Sequence, residues 1–145
     1  MISIDTNLLL YGLNRECPEH DDARHFLQEC SERSDVAIAE LVLVELYRLL
    51  RDPAVVSRPL GAPEAAAACR RFRAHPRWAL IEYAPVMSRV WQIAALPDCP
   101  RRRLFDARIG LTLLHHGVRE LATRNVGDFD GLGFDRVFDP LTDGE

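Results

Sequence analysis

The stretch Met1-Ile2-Ser3-Ile4-Asp5-Thr6-Asn7-Leu8-Leu9-Leu10 decides how the rest of the chain is read. Ile2 and Ile4 bracket Ser3 as the start of a buried strand, and Asp5 then interrupts it. Thr6, Asn7 and a leucine run restart an apolar pattern at helical spacing. A carboxylate thus stands where a first strand hands over to a first helix. In an open parallel sheet that junction lies on the carboxyl edge of the strands, where such folds gather their ligands. Capping is the other role open to Asp5 or Thr6, since a side-chain oxygen there accepts from the free amides of the first helical turn.

The same hand-over recurs along the chain. After a helix near Thr6 to Leu13, apolar residues Ala23, Phe26, Leu27 and Cys30 recur at three and four and predict an amphipathic helix, with Asp21 and Asp22 in its first turn. His20 and His25, which have no partner pattern, are expected at the surface. Asp35 to Ala39 reads as a short strand, and Glu40 to Leu50 as a helix closed by Asp52-Pro53. Glu45 has Leu41, Val42, Leu46 and Leu49 as helical neighbours, so this carboxylate lies on or beside the apolar stripe. A charge so placed needs a positive partner, either an arginine or a cation. Glu40, at the helix start, is the competing acid, in a position where a solvated carboxylate is expected.

Ala54 to Pro63 has loop character, and Pro63 to Arg73 is a strong helix former with a basic end. Trp78 to Tyr83 predicts a strand, and Pro85 opens a helix toward Leu96. Trp78 and Trp91, with apolar neighbours, are expected in the core rather than as a base-stacking platform. Arg101, Arg102 and Arg103 lead into a helix from Leu104 to a stop at Gly117. Asp106 falls in its first turn, above Ile109, Gly110 and Leu113, and so points inward near a positive helix end. Glu120 to Thr123 is a strand. A glycine-rich loop from Arg124 to Phe134 carries Asp128, and Arg136 to Phe138 is a last short strand. Strands alternating with helices predict an α/β protein with a mostly parallel central sheet between layers of helix.

Length and composition narrow the function classes. A chain of 145 residues suits one domain over residues 1–145, with only the tail Thr142 to Glu145 expected to be disordered. Nothing approaches the roughly 20 apolar residues of a membrane span, and no basic leader precedes Asp5, so a cytoplasmic protein is expected. Four scattered cysteines without a CxxC pair are expected to be free thiols. The formal charge of −4 argues against wrapping nucleic acid through the whole field of the protein, while leaving room for a local basic patch. All 18 positive side chains are arginine. The absence of lysine excludes a P-loop and Schiff-base chemistry, yet suits phosphate, which the guanidinium fork binds well. Aspartyl phosphoryl acceptors also begin with an Asp after a first strand, but families of that kind use a lysine.

In a parallel sheet, Asp5 and Asp128 leave the carboxyl edge, while Glu45 and Asp106 lie early or inward on helices that begin there. Four carboxylates then converge on one cleft. Their repulsion calls for divalent cations, and hard oxygen ligands suit Mg2+ or Mn2+ rather than zinc. In the order and spacing of Asp5-Thr6-Asn7-Leu8-Leu9, Glu45 before Arg51-Asp52-Pro53, Phe105-Asp106-Ala107 and Thr123-Arg124-Asn125-Val126-Gly127-Asp128-Phe129, the chain resembles the PIN-domain nucleases. Within them it is similar to the VapC-like toxins of bacterial type II toxin–antitoxin pairs. The resemblance runs from Ile2 through Leu141, loosely from Ala54 to Val86. It implies a three-layer α/β/α PIN-like fold and a metal-dependent endoribonuclease with Asp5, Glu45, Asp106 and Asp128 as catalytic and metal-binding acids. Thr6 and Asn125 would support them. It also implies an RNA substrate, a cognate antitoxin and a homodimer. Arg124 and some of Arg101, Arg102 and Arg103 are candidates to hold substrate phosphate. A PIN-like module that has lost catalysis and only binds RNA or antitoxin is the alternative.

Overall fold

A computed structural model describes residues 1–142. The expected disorder of the tail therefore falls outside the described residues from 143 onward. Ile2–Ile4 forms β1, and Asp5 then caps α1, Thr6–Leu13. The chain continues through α2 (His20–Ser31), β2 (Val36–Ala39), α3 (Glu40–Leu50) and α4 (Ala62–Arg73). It then runs through β3 (Ala79–Ile81), α5 (Met87–Ala94), α6 (Arg103–His115) and β4 (Glu120–Ala122). A 3-10 turn, Val126–Phe129, precedes the last strand β5, Arg136–Phe138.

The five strands pair in parallel in the order β3-β2-β1-β4-β5, with Ile2 opposite Val36 on one side and Ile4 opposite Ala122 on the other. Both β1 and β2 are buried along their whole length, as strands sandwiched between helices must be. That is why they read as near-continuous apolar runs. Helix α1 packs on both α2 and α3, and α3 on α4, as one group, with α5 on α6 as another, giving the three-layer α/β/α arrangement expected. Leu8, Leu9, Ile38, Val42, Leu46 and Leu113 fill the space between layers. No helix among the described residues is long and apolar enough to cross a membrane.

The order of strands explains where a site can form. From β1 the chain steps to β2 and β3 on one side, then returns to place β4 and β5 on the other. Loops leaving β1 and β4 therefore diverge and open a crevice at their carboxyl ends.

Several local expectations change. His20 is buried rather than at the surface, its Nδ1 lying 2.8 Å from the Tyr11 carbonyl, because α2 packs directly on α1. His25 is exposed beside Glu29. Trp78 is in the core, its Nε1 donating to the Cys30 carbonyl at 3.0 Å and its ring stacked on His75. Trp91 is not. It is 59% exposed, since only the Val90 face of α5 is covered. The four cysteines are free, and burial pushes the Cys30 thiol up to about 11.

Candidate active site

Asp5 follows β1 and caps α1, as one of the two roles open to it requires. Its Oδ1 accepts the Thr6 amide at 2.8 Å, and its Oδ2 accepts the Thr123 hydroxyl at 2.6 Å. The direction of the second bond follows from the first partner of Thr123. The Asn125 amide can only donate, and it donates to Thr123 Oγ1 at 3.0 Å, so the hydroxyl proton points to Asp5. Asp5 is almost fully buried, and that burial raises its pKa. The bonds from Thr123 and Thr6 oppose the rise, while Glu45 and Asp128 add to it.

Glu45 is half-buried on α3 and accepts a hydrogen bond from Thr6 Oγ1 at 3.1 Å. Among the described residues it enters no ion pair, so the structural arginine partner that could have explained it is absent. Glu40, the competing acid, instead pairs with Arg73 at 2.9 Å, on the other side of the helix start. Thr6 therefore ties two acids together, its amide holding Asp5 and its hydroxyl Glu45.

The other two acids come from α6 and the 3-10 turn. Asp106 stands in the first turn of α6 with its carboxyl pushed up to about 6. Burial is the main cause, followed by Asp128, Asp5 and Glu45, with Arg102 pulling the other way. Each of the other three acids thus acts on Asp106 through space. Asp128 lies near Arg102, whose Nη2 is 3.5 Å from its carboxylate, and its amide donates to the Asn125 carbonyl at 3.0 Å.

One cleft of about 900 Å3 joins them. Asp5, Glu45, Asp106 and Asp128 all line it, with Thr6 and Asn125 between them. Its mouth adds Arg48, Arg102, Arg108 and the 65% exposed ring of Phe105. A shallower groove beside it, between α3 and α4, is lined by Leu43, Cys69 and Arg70 and bears none of the four acids.

The donors fit a hard divalent cation: four carboxylates, with no imidazole or thiolate on the walls of the cleft. Among the described residues, no three His, Cys, Asp or Glu side chains close on a common point. The four acids share the space while standing apart, as like charges do.

The arginines named from sequence divide. Arg102 reaches the cleft and Arg101 is exposed. Arg124 is engaged with Asp139 at 2.9 Å, and Arg103 with the backbone of the 3-10 turn. Sequence reading missed Thr123 as a partner of Asp5, as well as Arg48 and Arg108. Arg48 could have been found, because it stands one turn from Glu45 on the same helix face, and Arg108 likewise follows Phe105 by three. No local signal links Thr123 to a residue at the start of the chain.

Comparison with known proteins bears on the fold and the family. The PIN domain family model matches residues 2–134. Ribonuclease VapC24 of Mycobacterium tuberculosis (strain ATCC 25618 / H37Rv) is 63% identical over 142 residues, 98% of this chain and 98% of that protein. The crystal structure of Mycobacterium tuberculosis VapC20, a sarcin-ricin loop cleaving toxin, covers 92% of this chain and 96% of its own at 21% identity, with a TM-score of 0.69. VapBC2 from Rickettsia felis, bound to a DNA fragment from its promoter, gives a TM-score of 0.56 at 17% identity over 94% of this chain and 98% of its own. At such identities the two structures speak for the fold. With the family model spanning β1 to β4 and every residue of the cleft, and a relative matching at nearly two residues in three, the chain belongs to the PIN-domain family, in its VapC-like group.

Proposed function

We propose that this protein is a Mg2+- or Mn2+-dependent endoribonuclease, the toxin of a type II toxin–antitoxin pair. The observation that carries the reading is the meeting of four acids from four separate elements in one cleft at the switch point of the sheet. The similarity to a ribonuclease over nearly the full length supports the choice of RNA. A cognate antitoxin and a homodimer come with the family resemblance and belong to the same proposal.

Asp5, Glu45, Asp106 and Asp128 would hold the cation. When bound, it supplies a countercharge for the phosphodiester and lowers the pKa of a water held there. The chain itself orients the ligands. Thr123 and the Thr6 amide fix the plane of the Asp5 carboxylate, and the Thr6 hydroxyl fixes one oxygen of Glu45. Such supports commonly matter 10- to 100-fold for metal affinity. Phosphate oxygens would be held by Arg102 with Arg48 and Arg108, which line the mouth of the cleft. These guanidiniums let an acidic protein accept a polyanion locally. An inactive binding module would not need four acids facing one space, and their retention weighs against that alternative.

The test is end-mapping. Purified protein is incubated with total RNA and Mg2+, and new RNA ends are sequenced. Discrete ends are expected with the wild type, and none with excess chelator or with folded Asp5→Asn. The same ends persisting in Asp5→Asn would contradict the proposal.

A further inference from the structure

Arg103 was a candidate phosphate ligand from its place in an arginine run, yet its guanidinium is turned inward. Nη1 donates to the Asp128 carbonyl at 2.5 Å and Nη2 to the Asp130 carbonyl at 2.7 Å. Its neighbours differ: Arg101 and Arg102 are exposed while Arg103 is half-buried. Both carbonyls belong to the end of the 3-10 turn that carries Asp128. Arg103 itself begins α6, one turn before Asp106. One planar fork therefore spans the two elements that supply half of the acidic cleft.

The need for such a tie follows from charge. Asp106 and Asp128 repel each other, and the turn bearing Asp128 has no sheet pairing of its own. Lower down α6 the end of the turn and the loop following it are packed against Gly110 through Phe129, Leu132 and Phe134, but at the cleft end, beside Asp128, the hydrogen bonds to the turn come from Arg102 and Arg103. The Arg102 contact is long, at 3.5 Å, and its side chain is 75% exposed. The bidentate contact of Arg103 is the firm one.

We propose that Arg103 is a positioning residue rather than a substrate ligand. It staples the Asp128 turn to the start of α6, setting the separation of Asp106 and Asp128 against their repulsion. The inference rests on the proposed metal-dependent site and deepens it. Lysine can replace the charge but cannot donate in parallel to two carbonyls. Substitution by lysine therefore separates a staple from a point charge.

The experiment compares wild type, Arg103→Lys and Arg103→Ala. Mn2+ affinity is read by titration calorimetry. Binding of a short fluorescein-labelled single-stranded RNA in chelator is read as a function of salt, and kcat and KM are read on an RNA cut in the end-mapping assay. A staple predicts that both variants lose roughly 10- to 100-fold in Mn2+ affinity. It also predicts a lower kcat, with KM and the salt slope unchanged in both variants. Recovery of Mn2+ affinity and kcat in Arg103→Lys would overturn the inference. So would a loss of about 0.7 in the salt slope in Arg103→Ala with Mn2+ affinity kept, the mark of one phosphate contact on a single strand. Wild-type protein that takes up no Mn2+ would instead remove the proposed site itself, and the staple's purpose with it. If Arg103→Ala does not fold, Arg103→Lys, which keeps the stem and the charge, decides.

Discussion

Asp106 shows at the scale of one residue what gathering four acids in one cleft costs the fold. The first turn of a helix favours a negative charge, yet its carboxyl is pushed up to about 6 by burial and by Asp128, Asp5 and Glu45. A carboxyl raised in the fold contributes stability that is fully present below its ordinary value of 3.8 and lost as the pH rises through about 6. The metal-free protein is thus expected to lose stability across that window. Asp106→Asn should abolish this part of the loss, raising stability well above pH 6 by roughly 1 to 2 kcal/mol after allowance for solvent screening. Below the ordinary carboxylate range it should change little. Denaturant unfolding at several pH values checks it, and a variant with the wild-type pH dependence would contradict it. Asp106 was legible in sequence because its helical neighbours point inward. Thr123 was not, because its partner Asp5 lies across the sheet, and only the pairing of β1 with β4 brings them together.

At the scale of elements, α6 and the loop around the 3-10 turn must approach closely, and Gly110 permits it. A Cβ there would stand 2.6 Å from Leu132 Cδ1 and 3.5 Å from Phe129 Cδ1. Alanine would gain up to about 1 kcal/mol in helix propensity, but pressing into a fully buried Leu132 costs about 1 to 3 kcal/mol. Gly110→Ala should therefore lower stability by about 1 kcal/mol net. It should lower cleavage more than stability, because Phe129 belongs to the turn that carries Asp128. Chemical unfolding alongside the cleavage assay checks both parts, and a stabilised, fully active variant would contradict the packing. The order of elements was legible because buried strands and amphipathic helices leave different periods in the sequence. Their ends were less so. Trp78 to Tyr83 suggests a six-residue strand, but Trp78 turns to stack on His75 and only Ala79–Ile81 pair at the sheet edge. Pro85 suggests a helix start, but α5 begins at Met87. Arg124 to Phe134 reads as plain loop because a single 3-10 turn is too short to leave a periodic signal.

At the scale of the whole molecule, the parallel sheet turns distant sequence positions into neighbours. Asp5 and Asp128 leave strands on either side of the switch, and α3 and α6 bring Glu45 and Asp106 to the same opening. The four acids could be singled out from sequence because Asp5, Asp106 and Asp128 follow or begin an element at the carboxyl edge, and Glu45 lies beside the apolar stripe of α3. The basic rim was legible only in part: Arg102 was named, but which arginines are spent on ion pairs or carbonyls depends on the fold, so Arg124 and Arg103 are engaged while Arg48 and Arg108 face the cleft. The central claim is that these carboxylates act as one cation-binding centre. Calorimetric titration of Mn2+ into wild-type protein, Glu45→Gln and Asp5→Asn tests it most directly. Saturable uptake by the wild type and its loss in both folded variants is the predicted result, whereas equal uptake by all three proteins, or none by the wild type, would contradict the account.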